Sequence, residues 1–267
     1  MRTVILTIGD PLSPLLFDIA LESFLLSIIQ DPQFQGFQVQ DALLSPPAGS
    51  PTIVSPQLKC LAYADDVCIL MQDSADLTRL KHHMRRYAAV SNAKFNEDKS
   101  EGFSLNGSLS LAWQTQFLNM NIQLYHHQGS GNAFRYLGLY FAYTPAQRAQ
   151  TEEMLLLSVR QQCHIYGQRQ LSILGKVKIV NSLILSKIWY SLRLLKPTKR
   201  FIENVKKAIY QFVWNKKAPL LRKEKLFLPR HYGGLAVLDP HIQQLILQKR
   251  WLNYIFDPKS VLPFCFH

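Results

Sequence analysis

The sequence predicts an α+β front part followed by an all-α, basic helical bundle. Three observations carry this. Residues 1–143 combine one strongly apolar helical run with several short β-prone runs bounded by turn residues, whereas residues 144–267 show helical spacing almost throughout. Charge divides the same way: residues 1–150 hold 10 Lys+Arg against 12 Asp+Glu, a net of −2, and residues 151–267 hold 20 against 6, a net of +14. Finally, 267 residues at 48% hydrophobic content suffice for one large domain or two modest ones. The boundary is set between 143 and 144.

The elements follow in order. Ser13-Pro14 reads as a helix start, Ser as N-cap and Pro at the first helical position. Leu15 to Ile29 then forms a helix apolar on most faces, which predicts burial. Ser45-Pro46-Pro47-Ala48-Gly49-Ser50-Pro51 makes residues 31–57 a loop or a loose hairpin. Leu58–Tyr63 and Val67–Met71 are β-prone runs joined at Ala64-Asp65-Asp66, a predicted hairpin. Asp73 or Ser74 caps a helix with Leu77, Leu80, Met84, Tyr87 and Ala88 at helical spacing. A strand pair is expected at Ala93–Asn96 and Ser100–Leu105, and a further strand at Phe134–Phe141, whose Gly138 suggests a bulge or close backbone approach. Helices are expected near 145–166, 171–195, 198–215 and 239–256, with Pro197 separating the second from the third.

A formal charge of +12 suits a polyanionic partner, nucleic acid first and an anionic membrane surface second. Cys60, Cys68, Cys163 and Cys265 form no CxxC pair or compact ligand spacing, which argues against structural zinc and fits a reducing compartment. The apolar run Leu15–Ile29 is too short to span a bilayer and contains Asp18 and Glu22.

The stretch Leu-Ala-Tyr-Ala-Asp-Asp-Val-Cys-Ile-Leu-Met at 61–71 sets two acids side by side between apolar runs. Adjacent carboxylates repel at a tight turn, where Asn-Gly is easier. A divalent cation removes the conflict: Mg²⁺ takes one or two carboxylates plus substrate phosphates, the arrangement of two-metal phosphoryl transfer. An isolated Asp-Asp dipeptide is more often a solvated turn, so its context decides. Gly9-Asp10-Pro11-Leu12-Ser13-Pro14 precedes the apolar helix, and Tyr63-Ala64-Asp65-Asp66 follows it. Then come Asn96-Glu97-Asp98-Lys99 and Phe134-Arg135-Tyr136-Leu137-Gly138. In this order they resemble reverse transcriptase motifs B, C, D and E. Leu174-Gly175-Lys176, Phe212-Val213-Trp214-Asn215, Leu228-Pro229-Arg230 and Gly233-Gly234-Leu235 resemble the thumb and following region of LINE-type, non-LTR retrotransposon polymerases.

The resemblance implies a partial polymerase palm over 1–143, with an antiparallel sheet and packed helices, and a thumb-like region over 144–267. It implies RNA-directed DNA polymerase activity with Mg²⁺, or Mn²⁺, as cofactor, an RNA template, a DNA primer or duplex and a dNTP as partners, and action in the nucleus or cytoplasm, the nucleus by analogy with chromosome-inserting elements. Asp65 would be the metal-binding catalytic aspartate and Asp66 its supporting neighbour. Tyr63 and Ala64 would lie beneath the primer terminus, and Gly9, Pro11 and Ser13 near the templating base and nucleotide. Lys99 matches a motif lysine that would stabilise the departing pyrophosphate, or is a solvated loop lysine. Tyr136, Leu137 and Gly138 would belong to the primer grip, or to an ordinary core strand, or to both. Lys176, Lys178, Lys187, Arg193, Lys196, Lys199, Arg200, Lys206, Lys207, Lys216 and Lys217 are candidates for backbone phosphates. Trp189, Tyr190, Phe212 and Trp214 are expected in the core.

The sequence departs from the family's pattern at its start. Met1–Ile8 contain no carboxylate, where the aspartate of motif A and the fingers would lie ahead of Gly9, and Thr7-Ile8 stands in place of Arg-Gln. The expectation is a polypeptide that begins within motif B and does not extend a primer alone. The alternative is a catalytically dead remnant that keeps non-specific nucleic-acid binding.

Overall fold

The computed structural model describes residues 12–38, 57–215 and 222–256. Gly9, Pro11, Lys216 and Lys217 lie outside the described residues. The architecture is α+β, with short two-stranded sheets among helices. Packing divides the chain into two compact units, residues 1–100 with 111–123, and residues 101–110 with 124–267. The expected break after 143 follows family roles; by packing, residues 124–143 group with the helical bundle.

In the first unit, α1 runs Ser13–Ile29. Leu12 is its cap residue, in helical conformation, and its carbonyl accepts the first turn's N–H from Leu16 at 3.0 Å. Ser13 is therefore already the first helical residue and not the cap. The expectation of a buried helix is corrected too. Phe24 and Ile28 are buried, with Leu21 and Leu25 packed beside them, but Leu15, Phe17 and Ile19 are exposed. One stripe at i, i+3, i+4, i+7 spacing meets the helix α2 (Ser74–Ser91), α1 also contacts the strand at Cys60–Tyr63, and Leu15, Phe17 and Ile19 stay on the exposed side.

The Asp73 carboxylate caps α2, accepting from the N–H groups of Ala75 and Asp76 at 2.9 and 3.0 Å. Asp76 itself is fully buried. Its carboxylate accepts the backbone N–H groups of Gln35, Gly36 and Gln72 at 2.7–2.9 Å, tying the segment after α1 to the start of α2. Beside it, the buried carboxylate of Asp31 receives Arg79 Nη2 and His83 Nε2, both at 2.8 Å.

Strand β1 (Phe37–Gln38) pairs with β2 (Gln57–Leu58), and β3 (Cys60–Tyr63) pairs with β4 (Asp66–Ile69), all antiparallel. The expected strand at 93–96 is irregular, followed by a 3-10 turn at Glu97–Lys99. An unforeseen helix, α3, spans Leu111–Leu118.

In the second unit, β5 (Glu101–Phe103) pairs in parallel with β6 (Leu124–His126), a strand that was not foreseen. A parallel pair requires a long connection, and the chain passes through α3 between the two. The run Phe134–Phe141 is not one strand but a hairpin, β7 (Phe134–Tyr136) with β8 (Leu139–Phe141). Its two turn residues, Leu137 and Gly138, have φ of 47° and 78°. Positive φ at both central residues matches strand twist in a two-residue hairpin, and this is why Gly138 is there.

The helix α4 (Pro145–Gly167) opens with a capping box between Thr144 and Gln147. The buried Gln147 amide also donates to the carbonyls of His127 and Ser130, at 3.1 and 2.9 Å. The single helix expected over 171–195 is a broken helical path: α5 (Ile173–Ile179), a π turn at Val180–Ile184, α6 (Ser186–Trp189) and a 3-10 turn at Ser191–Arg193. Then come α7 (Lys199–Val213), the unforeseen α8 (Lys223–Phe227) and α9 (Pro240–Phe256). Val159, Val180, Ile184, Leu185, Ile188, Leu192, Val205 and Ile209 form the fully buried centre, each worth about 1.5–3 kcal/mol of removed apolar surface. The buried Glu152 caps α7 from α4, accepting Thr198 N–H and Oγ1–H at 2.6 Å each.

Candidate functional site

Local pairing builds the first unit's site. Cys60↔Ile69, Leu61↔Cys68, Ala62↔Val67 and Tyr63↔Asp66 set the register of the β3–β4 hairpin. Cys68 and Leu70 point into the protein and are buried. Alternation fixes the inward face, and the tip carries Ala64 and Asp65 in the turn with Asp66 opening β4. Asp65 and Asp66 are both exposed, and no hydrogen bond or ion pair engages their carboxylates among the described residues. Tyr63 beside them is 69% exposed. Ala64 sits at φ 51°, a left-handed conformation that side-chain-bearing residues avoid.

The donor chemistry fits a hard cation: two adjacent carboxylates, oxygen-only and accessible to a phosphate-bearing ligand. Among the described residues there is no group of three or more His, Cys, Asp or Glu that converges as a complete metal cage. A cation held here would take its remaining oxygens from water and nucleotide phosphates, as Mg²⁺ commonly does.

Lys99 closes the 3-10 turn at Glu97–Lys99, its backbone N–H bonded to Asn96 Oδ1 at 3.2 Å. Its side chain is exposed and makes no hydrogen bond or ion pair among the described residues, with the doublet or otherwise. Ser13 is placed only as the first residue of α1.

In the second unit, the β7–β8 turn meets the end of α6. Tyr190 donates its hydroxyl proton to the Leu137 carbonyl at 2.8 Å. A Cβ at Gly138 would come within 3.2 Å of the Tyr190 ring. Beside this contact is a cleft of about 290 Å³ lined by Arg135, Gly138, Tyr140, Met154, Lys187 and Tyr190. Arg135 and Lys187 are exposed cations there, and no acid lines the cleft. Sequence reading passed over Arg135, although strand alternation sets it opposite Phe134 and Tyr136. It also put Tyr190 in the core; Tyr190 is 42% exposed, whereas Phe212 and Trp214 are buried and Trp189 half-buried.

The phosphate candidates separate sharply. Lys178, Lys187, Lys196, Lys199, Arg200 and Lys207 are exposed. Arg193 is half-buried, its guanidinium over the Tyr190 ring. Lys206 is paired with Asp239 at 2.8 Å and lies over the Phe227 ring. Lys176 is a correction. It is 3% exposed, and its ammonium donates to the Phe212 and Val213 carbonyls at 3.3 Å and to Asn215 Oδ1. It adds a donor to the carbonyls at the end of α7, of which Phe212 O also accepts Asn215 N–H at 3.3 Å, and is not available to a phosphate.

Burial pushes the thiols of Cys68 and Cys163 up, to about 11 and about 12, so neither is a thiolate at neutral pH. No helix among the described residues is long and apolar enough to cross a membrane.

A carboxylate doublet on a hairpin tip, in that chain order, has its counterpart in a known class. Residues 2–141, just over half of the sequence, match the family model described as reverse transcriptase (RNA-dependent DNA polymerase), and the chain belongs to that family. Within it the kinship is to non-LTR, LINE-type retrotransposon enzymes. The chain is 28% identical over 222 residues to the transposon TX1 uncharacterized 149 kDa protein of Xenopus laevis, an alignment covering 77% of this chain. The chain spans 14% of the length of that relative. Reverse transcriptases use divalent metal ions and bind nucleic-acid templates and dNTPs.

Proposed function

We propose that this chain contributes the β3–β4 carboxylate pair and the primer- and duplex-binding surfaces of an RNA-directed DNA polymerase that works by two-metal nucleotidyl transfer. The observation that carries the reading is the exposed, unengaged Asp65–Asp66 pair on a strained hairpin tip, in a chain of the reverse transcriptase family. Asp65 is the principal ligand of Mg²⁺ or Mn²⁺ and Asp66 a supporting one. The ion would supply charge neutralisation at the reacting phosphate.

The chain's own residues hold and orient. Tyr63 and Ala64 are assigned to the primer terminus, and Gly9, Pro11 and Ser13, from the family's motif order alone, to the template and nucleotide. Lys99 carries a positive charge that a departing pyrophosphate would meet. Tyr136, Leu137 and Gly138, braced by Tyr190, set the primer strand. The exposed cations Lys178, Lys187, Lys199, Arg200 and Lys207 neutralise duplex phosphates, releasing counterions and making affinity salt-dependent. Residues 1–143 act as part of a palm and 144–267 as a thumb.

The second reading is a catalytically dead remnant that keeps non-specific nucleic-acid binding; in its support, no third His, Cys, Asp or Glu converges on a metal site among the described residues. Primer extension on an RNA template with Mg²⁺ or Mn²⁺ separates the two. Under the first reading, a longer polypeptide of the same element that includes these residues extends a primer and loses it with Asp65→Ala. Retention of full activity in that variant removes Asp65 from catalysis. Salt-dependent duplex binding without extension by any such polypeptide selects the second reading.

A further inference from the structure

The segment between α8 and α9 is a closed, hydrogen-bonded turn that presents exposed side chains. The chain from Lys225 to Val237 folds back on itself: Leu235 N–H donates to Lys225 O at 3.1 Å, Val237 N–H to Leu226 O at 3.0 Å and Ala236 N–H to Leu228 O at 2.9 Å. The loop at the end is pinned from inside. Tyr232 N–H and Gly234 N–H both donate to Pro229 O, at 3.0 and 3.1 Å, and Gly233 N–H donates to Arg230 O at 2.9 Å. Closure depends on Gly234, because a Cβ there would lie 2.0 Å from the Leu228 carbonyl oxygen. Arg230, His231 and Tyr232 thus stand on an ordered turn, with all three side chains exposed and Tyr232 at 67%. The His231 and Tyr232 rings lie 4.2 Å apart, centroid to centroid. Residues 222–232 hold Arg222, Lys223, Lys225 and Arg230 against the single acid Glu224.

An exposed aromatic pair contributes nothing to the core, and a single exposed ring alone means little. Its setting gives it a use. A pinned backbone loses little conformational freedom on binding, and an exposed ring on the same turn as Arg230, in a segment whose sequence is rich in cations, matches the platform-plus-charge design of single-strand recognition. We propose that the Arg230-His231-Tyr232 turn binds unpaired nucleic acid, Tyr232 stacking on a base while Arg230 and the neighbouring lysines meet the backbone. This rests on the proposed function, since it assumes a polymerase that handles template as well as duplex, but it concerns residues outside the site described above.

The test is equilibrium binding of the 267-residue chain to oligoadenylate RNA, to DNA of the same sequence, and to a blunt duplex. Wild type binds all three. Tyr232→Ala weakens the single strands about five- to hundredfold, the change that one lost base–aromatic stack of roughly 1–3 kcal/mol produces, and moves duplex affinity by less than about twofold. Tyr232→Phe keeps wild-type binding, because the stack needs the ring and not the hydroxyl. A larger loss on one of the two single strands identifies the strand this turn takes. Unchanged single-strand affinity in Tyr232→Ala, an equal loss on duplex and single strand, or a Tyr232→Phe as weak as Tyr232→Ala overturns the inference while leaving the proposed function standing. Failure of the wild-type chain to bind any of the three overturns both.

Discussion

Tyr190 and Leu137, 53 positions apart in sequence, are joined by a 2.8 Å hydrogen bond from the tyrosine hydroxyl to the leucine carbonyl. The turn it holds has two consecutive left-handed residues, and its glycine faces the tyrosine ring. A helix of the bundle thus braces a hairpin whose own two short strands would be marginal alone. The brace predicts two graded effects. Gly138→Ala adds a methyl that must coexist with φ 78° and a ring 3.2 Å away, and is expected to lower stability by about 1–3 kcal/mol. Tyr190→Phe removes one partly solvated hydrogen bond and costs about 0.5–1 kcal/mol. Because both act on one turn, a double-mutant cycle in urea should show non-additive losses. Additive losses would mean that the hydroxyl does not hold the turn.

Lys176 and Lys187 look interchangeable in sequence and are opposites in the structure. Removing the Lys176 ammonium leaves the Phe212 and Val213 carbonyls buried without it; Lys176→Met is expected to cost about 1–3 kcal/mol while leaving the salt dependence of duplex binding as it was. Lys187→Ala should leave stability within about 0.5 kcal/mol and lower the slope of log affinity against log salt by about 0.9, the release accompanying one phosphate contact. Denaturation curves and a salt titration on both variants check the pair. If Lys187→Ala unfolds more easily and leaves the slope unchanged, that lysine is structural.

That contrast shows where the sequence was readable. The β3–β4 hairpin, α2 with its Asp73 cap, and α4 from Pro145 were legible because their signals are local: alternation, apolar spacing, and a polar residue or proline at a helix start. The family order of the acidic doublet was legible for the same reason. What failed depended on distant partners. Lys176 is buried because the end of α7, some 36 residues on, needs its protons. The β5–β6 pair joins strands separated by a helix, and so leaves no period to read. Burial of α1 was over-read because composition shows how apolar a helix is, and not which of its faces finds a neighbour. Phe134–Phe141 was read as one strand because Leu137 is an unusual residue for a left-handed turn position.

Asp31 predicts an acid-sensitive first unit. Burial alone would raise its carboxyl, but hydrogen bonds from Arg79, His83 and Gln33 N–H, together with the Arg79 charge, outweigh it and hold the group well below its ordinary value of 3.8. The folded state therefore keeps this carboxylate ionised where the unfolded chain binds a proton. Its contribution is fully present above about pH 4 and is lost as the pH falls below that toward the folded value. Unfolding followed from pH 7 to pH 2 should show stability falling below about pH 4. Asp31→Asn should be less stable at neutral pH and lose less on acidification. An acid limb as steep in the variant as in wild type would place the sensitivity elsewhere.

Ala64 tests whether the hairpin tip is strained. At φ 51° it stands one residue before Asp65, in a conformation where glycine suffers no Cβ conflict. Glycine also gives the unfolded chain more freedom, which works against the gain. The left-handed penalty for alanine is roughly 1–2 kcal/mol and the opposing entropy about 0.4–1 kcal/mol, so Ala64→Gly is expected to raise stability by about 0.5–1 kcal/mol. The residue present is then not the most stable choice at this position, as expected if the tip serves the metal site proposed above. Chemical denaturation of Ala64→Gly checks the sign. A loss of stability of 0.5 kcal/mol or more, on the order of the opposing entropy alone, would show that the turn carries no such strain and would remove this support for a metal-bearing tip.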